Sequence, residues 1–321
     1  MSFAANQSGL EMKGKKRKVV PAAVHHVYQR SAGGFLIFYT TRDYLVFCSI
    51  LSVFAKRYGL PLLGVCLMPD HFHLCARPEI KRQLFSCLRD VTSCYVKEFN
   101  RSIGRKGELF DAPYGSAPKI KDKRVRENIA YLYNNPVEKE LCDKAEEYPW
   151  NFLAYAFDRH PFSKPFIYQS SSWNMKKAIR ELNSLFLAGQ WLRYSFLERT
   201  TRCLSSEEKM QLTDIIIKKY LPVDFDLAVS YYGNSQKMLD AIHSNTGTEH
   251  DIREVFDAGS DRAFYKMADI IQHTRRYRSV REVIVADPDE KIRLFNLLQT
   301  KTNASARQIA KFLHMDMKKE R

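Results

Sequence analysis

His71-Phe72-His73 and the pair Tyr131 and Asn135 are the residues of this 321-residue chain whose types and spacing could do chemistry. On a β-strand, residues two apart project to one face, so two imidazoles would lie on one side and Phe72 on the other. Two neighbouring imidazoles make half of a divalent-metal site. Tyr131 and Asn135 stand at i and i+4, on one face of a helix, where a phenolic nucleophile and an amide ligand could meet. Tyr133 competes as nucleophile, but helical geometry turns it away from Asn135. Asp70 could serve as a ligand, as a partner bonded to a ligand, or as a turn residue; the turn is favoured. Each fragment alone has an ordinary reading, since most His-x-His pairs are surface or core histidines and most of the 17 tyrosines pack.

The elements that would position these groups are legible between residues 21 and 158. An extended stretch, Ala22 to Arg30, precedes a turn at Gly33 and Gly34, and a short apolar segment runs on to Tyr39. A helix with Asp43 near its start reaches Tyr58, and its apolar run Tyr44 to Ala55 is too short to span a bilayer. Two β-like runs follow, Leu62 to Leu67 and Phe72 to Ala76, joined as a hairpin because Pro69 cannot donate to a ladder and Asp70 suits a turn. A long amphipathic helix, Ile80 to Arg101, is broken by Gly104 and Gly107. Then come an extended piece, Tyr114 to Ile120, and a helix from Lys123 to Asn134, ended by Pro136. The expected class is α+β: a small antiparallel sheet with helices on one face, followed by a mainly helical C-terminal region over residues 159–321.

That helical region follows a linker-like stretch around Pro161–Pro165 and Ser170–Ser172. It ends in two short helices, Glu290 to Leu298 and Ser305 to Leu313. The second resembles the first helix of a helix-turn-helix, with the recognition helix left to the few residues after Met315; an ordinary helical hairpin fits equally. Residues 1–20 read as a basic disordered arm.

Fifty-one Lys and Arg against 36 Asp and Glu give a net charge of +15 and a pI near 9.4. Such a surplus favours a polyanionic partner, because neutralising phosphates releases condensed counterions. Seven cysteines form no Cys-x-x-Cys pair, which argues against a zinc ribbon or a disulfide framework and for reduced, buried thiols. With neither secretory signal nor membrane span, the expected location is cytoplasmic, with no membrane partner.

Taken together, Met68-Pro69-Asp70-His71-Phe72-His73-Leu74, Gly107-Glu108-Leu109-Phe110, Tyr131-Leu132-Tyr133-Asn134-Asn135-Pro136-Val137 and Tyr148-Pro149-Trp150 occur in an order that resembles the REP-associated tyrosine transposases. These are single-tyrosine members of the HUH endonuclease superfamily, with a ferredoxin- or RRM-like catalytic domain, and are relatives of insertion-sequence transposases. The resemblance covers roughly residues 22–157. It implies that His71 and His73 bind a metal, Mg²⁺ or Mn²⁺, that Tyr131 is the nucleophile, and that Asn135 is a further metal ligand. It also implies a single-stranded or hairpin DNA substrate, cut and rejoined through a 5′-phosphotyrosine intermediate. Two departures fall at DNA-contact positions: Phe110 is followed by Asp111-Ala112-Pro113-Tyr114, without the family's Gln and Arg, and an Arg-Gly near the first strand is Arg30-Ser31.

Lys119, Lys121, Lys123, Arg124 and Arg126, just before the Tyr131 helix, are candidates for tracking a phosphate backbone, as is Arg30; a solvated basic face is the plainer alternative. Two other functions share these features. One is a domesticated, non-cleaving DNA-hairpin-binding protein; the other is a replication initiator or relaxase-type nickase, for which His25 and His26 would extend the histidine cluster. The helical half is open to duplex DNA binding, homodimer formation or recruitment of another protein.

Overall fold

In the computed structural model, which describes residues 19–111, 114–244 and 260–316, the first half is a four-stranded antiparallel sheet. Its elements run β1 (Val24–Arg30), α1 (Thr41–Tyr58), β2 (Leu62–Met68), β3 (His71–Ala76), α2 (Lys81–Ile103), β4 (Gly115–Lys119) and α3 (Asp122–Glu138). The strand order β2-β3-β1-β4 is that of two interlocked β-α-β units, each inserting a strand of the other between its own pair. β2 and β3 are buried at every position, which explains the continuous apolar run of β2; β3 is interrupted only by His71 and His73, both on one face.

Side-chain alternation divides the sheet into two chemically different faces. Phe72 meets Phe47 of α1 at 5.0 Å between ring centres, and Phe47 meets Tyr95 of α2 at 5.1 Å, so these two helices cover the Phe72 face. The third helix, α3, lies across the opposite face, the one that carries the histidines. Helices therefore cover both faces rather than one. α3 also continues past Pro136 to Glu138, because a proline removes one hydrogen bond and the helix needs only two further residues before its end. Gly115 is required at the start of β4: a Cβ there would sit 2.0 Å from the Tyr28 ring on the neighbouring strand.

The turn between β2 and β3 is tied down from outside the sheet. Pro69 accepts hydrogen bonds from the backbone N–H groups of Ile37 and Phe38, at 2.8 and 3.0 Å, and Asp70 accepts one from that of Ser31 at 2.9 Å. Ser31, in turn, is bridged to Phe110, so the Gly107-Glu108-Leu109-Phe110 segment extends the sheet's edge beyond Arg30. Ala112, Pro113 and the N-terminal basic cluster lie outside the described residues.

The remainder is α4 (Trp173–Leu187), α5 (Tyr194–Thr201), α6 (Ser206–Lys219), α7 (Phe225–Ser230), α8 (Ser235–Ser244), α9 (Arg262–His273), α10 (Pro288–Lys301) and α11 (Ala306–Leu313). Among the described residues it contains no strand, and none of its helices or the earlier ones is long and apolar enough to cross a membrane. The buried apolar residues form one contiguous cluster from Val24 to Leu313. A buried ion pair, Arg281 Nε to Asp43 Oδ1 at 3.3 Å, joins the two halves, with Tyr194 donating its hydroxyl to the same carboxylate at 2.7 Å. Arg281 also donates from Nη1 to Ser102 Oγ at 2.8 Å, and further partners of this kind offset the cost of burying the pair.

Candidate functional site

The register of the sheet decides which histidines share a face. Cα partners pair His26 with Cys75, Tyr28 with His73 and Arg30 with His71, so His26, Tyr28 and Arg30 project to the same side as His71 and His73. His25 points the other way, where Nδ1 meets Ser116 Oγ at 3.1 Å. Only one of the two adjacent histidines on β1 therefore joins the site. The strand spacing brings the His71 and His73 rings to 4.8 Å centre to centre.

A chain of hydrogen bonds then fixes ring protonation. The Asn128 amide on α3 places Nδ2 on Cys75 Sγ at 3.1 Å and Oδ1 on His26 Nδ1 at 2.5 Å. An amide oxygen can only accept, so His26 Nδ1 carries the proton and, in the neutral ring, Nε2 is the acceptor. His73 Nδ1 lies 2.9 Å from that Nε2 and donates to it. In a neutral imidazole this leaves the lone pair of His73 on Nε2, the tautomer with which a histidine meets a cation. Burial, and then the charges of His71, His26 and Arg30, hold the His73 pKa well below its ordinary value, so the ring is neutral.

His71 is oriented by a different partner. Asp70 Oδ1 stands 2.5 Å from His71 Nδ1, and an ionised carboxylate can only accept. Asp70 is thus both the turn residue expected and the group that orients a site histidine. Burial pushes its carboxyl up, but His71, Lys311 and Arg30 outweigh that and hold it at about 2. Lys311 comes from α11, with Nζ 3.7 Å from Asp70 Oδ2. A second group from the helical half, Asp261 at the start of α9, is pushed up to about 7 by burial and by the Asp70 charge.

Tyr131 completes the arrangement. Its ring lies 5.8 Å from that of His26 and 6.3 Å from that of His73, whereas Tyr133 is fully buried, with its hydroxyl directed at Gly64 and its pKa raised well above the usual phenol range by burial. Asn135, one turn after Tyr131, donates from Nδ2 to the Tyr131 backbone carbonyl at 3.1 Å. His71 and Tyr131, each 7% exposed, form the rim at which the site meets solvent, with His73 at 0% behind them.

The donor set suits a divalent cation. Two imidazoles on one face, with both Nδ1 atoms engaged by fixed partners, leave Nε2 as the atom that each could offer to a cation, and an amide side chain stands one turn from the phenol. Among the described residues no group of three or more His, Cys, Asp and Glu forms a cage on its own, so a third protein ligand would be of another kind, and Asn135 is the candidate amide.

The candidate phosphate contacts divide. Arg30 stands on the site face opposite His71 in register. Lys121, Lys123 and Arg124 are exposed, and the last two form ion pairs with Glu127 at 4.0 and 3.0 Å. Lys119, the last residue of β4 and paired with Val24 of β1, is buried at 2% exposure and is not part of that exposed basic face. Arg126 reaches the carbonyl of Tyr231 at 3.3 Å and so braces the helical half. Asn128, Lys311 and Asp261 are the site groups that sequence reasoning did not assign, and His26 entered it only beside His25 under the relaxase-type reading.

No protein-family model matches the chain, and no curated protein matches it. Among solved structures, 43% of the chain is similar to 81% of a REP-associated tyrosine transposase bound to a REP hairpin, at 18% identity and a TM-score of 0.37.

Proposed function

We propose that this chain cuts and rejoins single-stranded DNA, with Tyr131 as the nucleophile. The observation that carries the reading is the Asn128–His26–His73 relay, which gives a buried histidine its ligating tautomer beside the Tyr131 ring.

His71 and His73 would hold a divalent cation, Mg²⁺ or Mn²⁺, with Asn135 as a third ligand. When bound, the cation neutralises charge on a non-bridging oxygen of the scissile phosphate. The chain's own contribution is positional. Tyr131 Oη attacks phosphorus as its phenolic proton is released; the bond from phosphorus to the 3′ oxygen breaks, and that oxygen takes up a proton. The product is a 5′-phosphotyrosine and a free 3′-hydroxyl. Another 3′-hydroxyl reverses the step and joins strands, so the ester energy is kept and no nucleotide is consumed. Arg30, Lys121, Lys123 and Arg124 would contact the backbone, and a hairpin would present the unpaired strand. The chain is read as acting in the cytoplasm on DNA, and no homodimer is needed for the groups described.

A cleavage assay on labelled single-stranded hairpins with Mn²⁺ or Mg²⁺ tests this. Wild type should form a covalent protein–DNA adduct that is lost with EDTA and lost in Tyr131→Phe. Hairpin binding without an adduct under either metal would leave the non-cleaving DNA-binding reading in its place.

A further inference from the structure

A cavity of about 980 Å³ opens between the start of α1, the Pro149-Trp150 turn, the α5–α6 junction and the segment from α9 to Val280. It shares no residue with the His71, His73 and Tyr131 site. One wall is aromatic: Trp150 lies flat on Tyr44, with ring centres 4.3 Å apart and planes 4° from parallel, and Tyr265, 42% exposed, lines the same space. Trp150 belongs to the Tyr148-Pro149-Trp150 motif, which the proposed cleavage does not use.

Around this wall stand four cations, Arg42, Arg202, Lys209 and Arg278. Among the described residues none of the four is held in an ion pair. The two carboxylates that line the cavity are committed elsewhere. Asp214 accepts from Tyr155 Oη at 2.7 Å and Ser163 Oγ at 2.8 Å, and Asp269 is paired with His273 at 3.3 Å. The lining therefore presents a π-face together with a surplus of positive charge, four cations against two carboxylates, and hydroxyls at Thr40, Thr41 and Thr213.

We propose that this cleft binds a nucleotide unit, with its base against the Tyr265 and Trp150 side and its phosphate among Arg42, Arg202, Lys209 and Arg278. Bases stack on aromatic side chains without strong sequence preference, and phosphates are drawn by lysine and arginine. The unit could be part of a DNA strand or a free mononucleotide, and the chemistry is shared. The proposal stands whether or not Tyr131 cuts DNA, because its test reads binding alone.

The experiment is photocrosslinking of the full chain to a decathymidylate carrying 5-iododeoxyuridine, at low salt, with peptides mapped by mass spectrometry. Crosslinks are expected at Tyr265 or Trp150. They should fall about tenfold or more in the double variant Arg202→Glu, Lys209→Glu, whose positions are exposed and whose melting temperature should match wild type. Tyr265→Ala, which leaves the charge unchanged, should weaken binding of the same oligonucleotide about tenfold. Competition by excess thymidine monophosphate assigns the site to a single nucleotide; crosslinks that persist assign it to a strand, and either result supports the cleft. Crosslinks only outside the lining, none at all, or full crosslinking in the double variant would overturn the proposal.

Discussion

Replacing His26 separates a ring that orients a metal ligand from one that merely fills space. In His26→Leu, the Asn128 Oδ1 acceptor and the His73 Nδ1 donor each lose the partner seen at 2.5 and 2.9 Å. Both lie in a buried region, and leaving a buried polar group unsatisfied costs about 1–3 kcal/mol. The pair together should lower stability by about 2–6 kcal/mol, within the roughly 5–15 kcal/mol that a folded domain holds. His73 is also released to the other tautomer. Loss of a partner that orients a ligand typically weakens metal binding by about 10- to 100-fold. His26→Gln is the informative companion: its amide oxygen can still accept from His73 Nδ1, so it should keep Mn²⁺ affinity within a few-fold of wild type.

The assay is Mn²⁺ titration by calorimetry for all three proteins, beside thermal melts in EDTA that report folding without metal. The reasoning predicts a loss of affinity in His26→Leu at temperatures where it is still folded, and recovery in His26→Gln. If His26→Leu binds Mn²⁺ within about threefold of wild type, the relay does not set the ligand and the tautomer argument is wrong. If His26→Gln loses as much as His26→Leu, the loss has another cause than the missing acceptor.

Asp70, held at about 2, contributes stability that is fully present above its ordinary pKa of 3.8 and is lost as pH falls through 2. Asp70→Asn should therefore remove about 2 kcal/mol at neutral pH and flatten the acid limb of a pH–stability curve; an unchanged limb would refute the assignment. Asp261, pushed up to about 7, has the opposite sign: the folded state keeps a proton that the unfolded chain has released, so stability falls as pH rises from about 4 to 7. Asp261→Asn should remove that fall, measured as melting temperature at both ends of the window. Gly115→Ala puts a methyl 2.0 Å from the Tyr28 ring and should lower stability by about 1–3 kcal/mol, read from a urea melt.

What could be read in advance was local. The spacing of His71 and His73 puts them on one strand face from alternation alone, and helical spacing puts Tyr131 and Asn135 together. What could not be read depended on register and on contacts across the chain. His26 joins the site because β1 pairs with β3 so that His26 faces Cys75; a slip of one residue would have brought His25 instead. Asn128 looked like any polar residue early in a helix, and its role follows only from which sheet face α3 covers. The strand pattern did not contain that information, since both β2 and β3 are buried at every position and burial alone does not say which face takes two helices and which takes one.

The helical half bears on the chemistry through the same logic of distant contacts. Lys311 is 240 positions beyond the histidine motif, yet its ammonium reaches Asp70, and Asp70 orients His71. α11 is anchored there on several sides. Tyr39 donates its hydroxyl to the Phe312 carbonyl at 2.6 Å, and His314 donates from Nε2 to the Leu36 carbonyl at 2.8 Å while stacking on Phe35 at 4.7 Å. Burial pushes the His314 pKa down to about 4, which keeps that ring neutral and the contact in place across the physiological range. Residues Gln308, Ile309, Ala310, Phe312 and Leu313 are buried by this docking. The pattern that resembled the first helix of a helix-turn-helix is thus accounted for by packing, and residues 317–321, on which a recognition helix would depend, lie outside the described ones. A chain that commits α11, the last helix among the described residues, to the turn beside His71 makes the site's geometry conditional on contacts from both halves. The first half alone would lack Lys311, which with His71 and Arg30 holds the Asp70 carboxyl down.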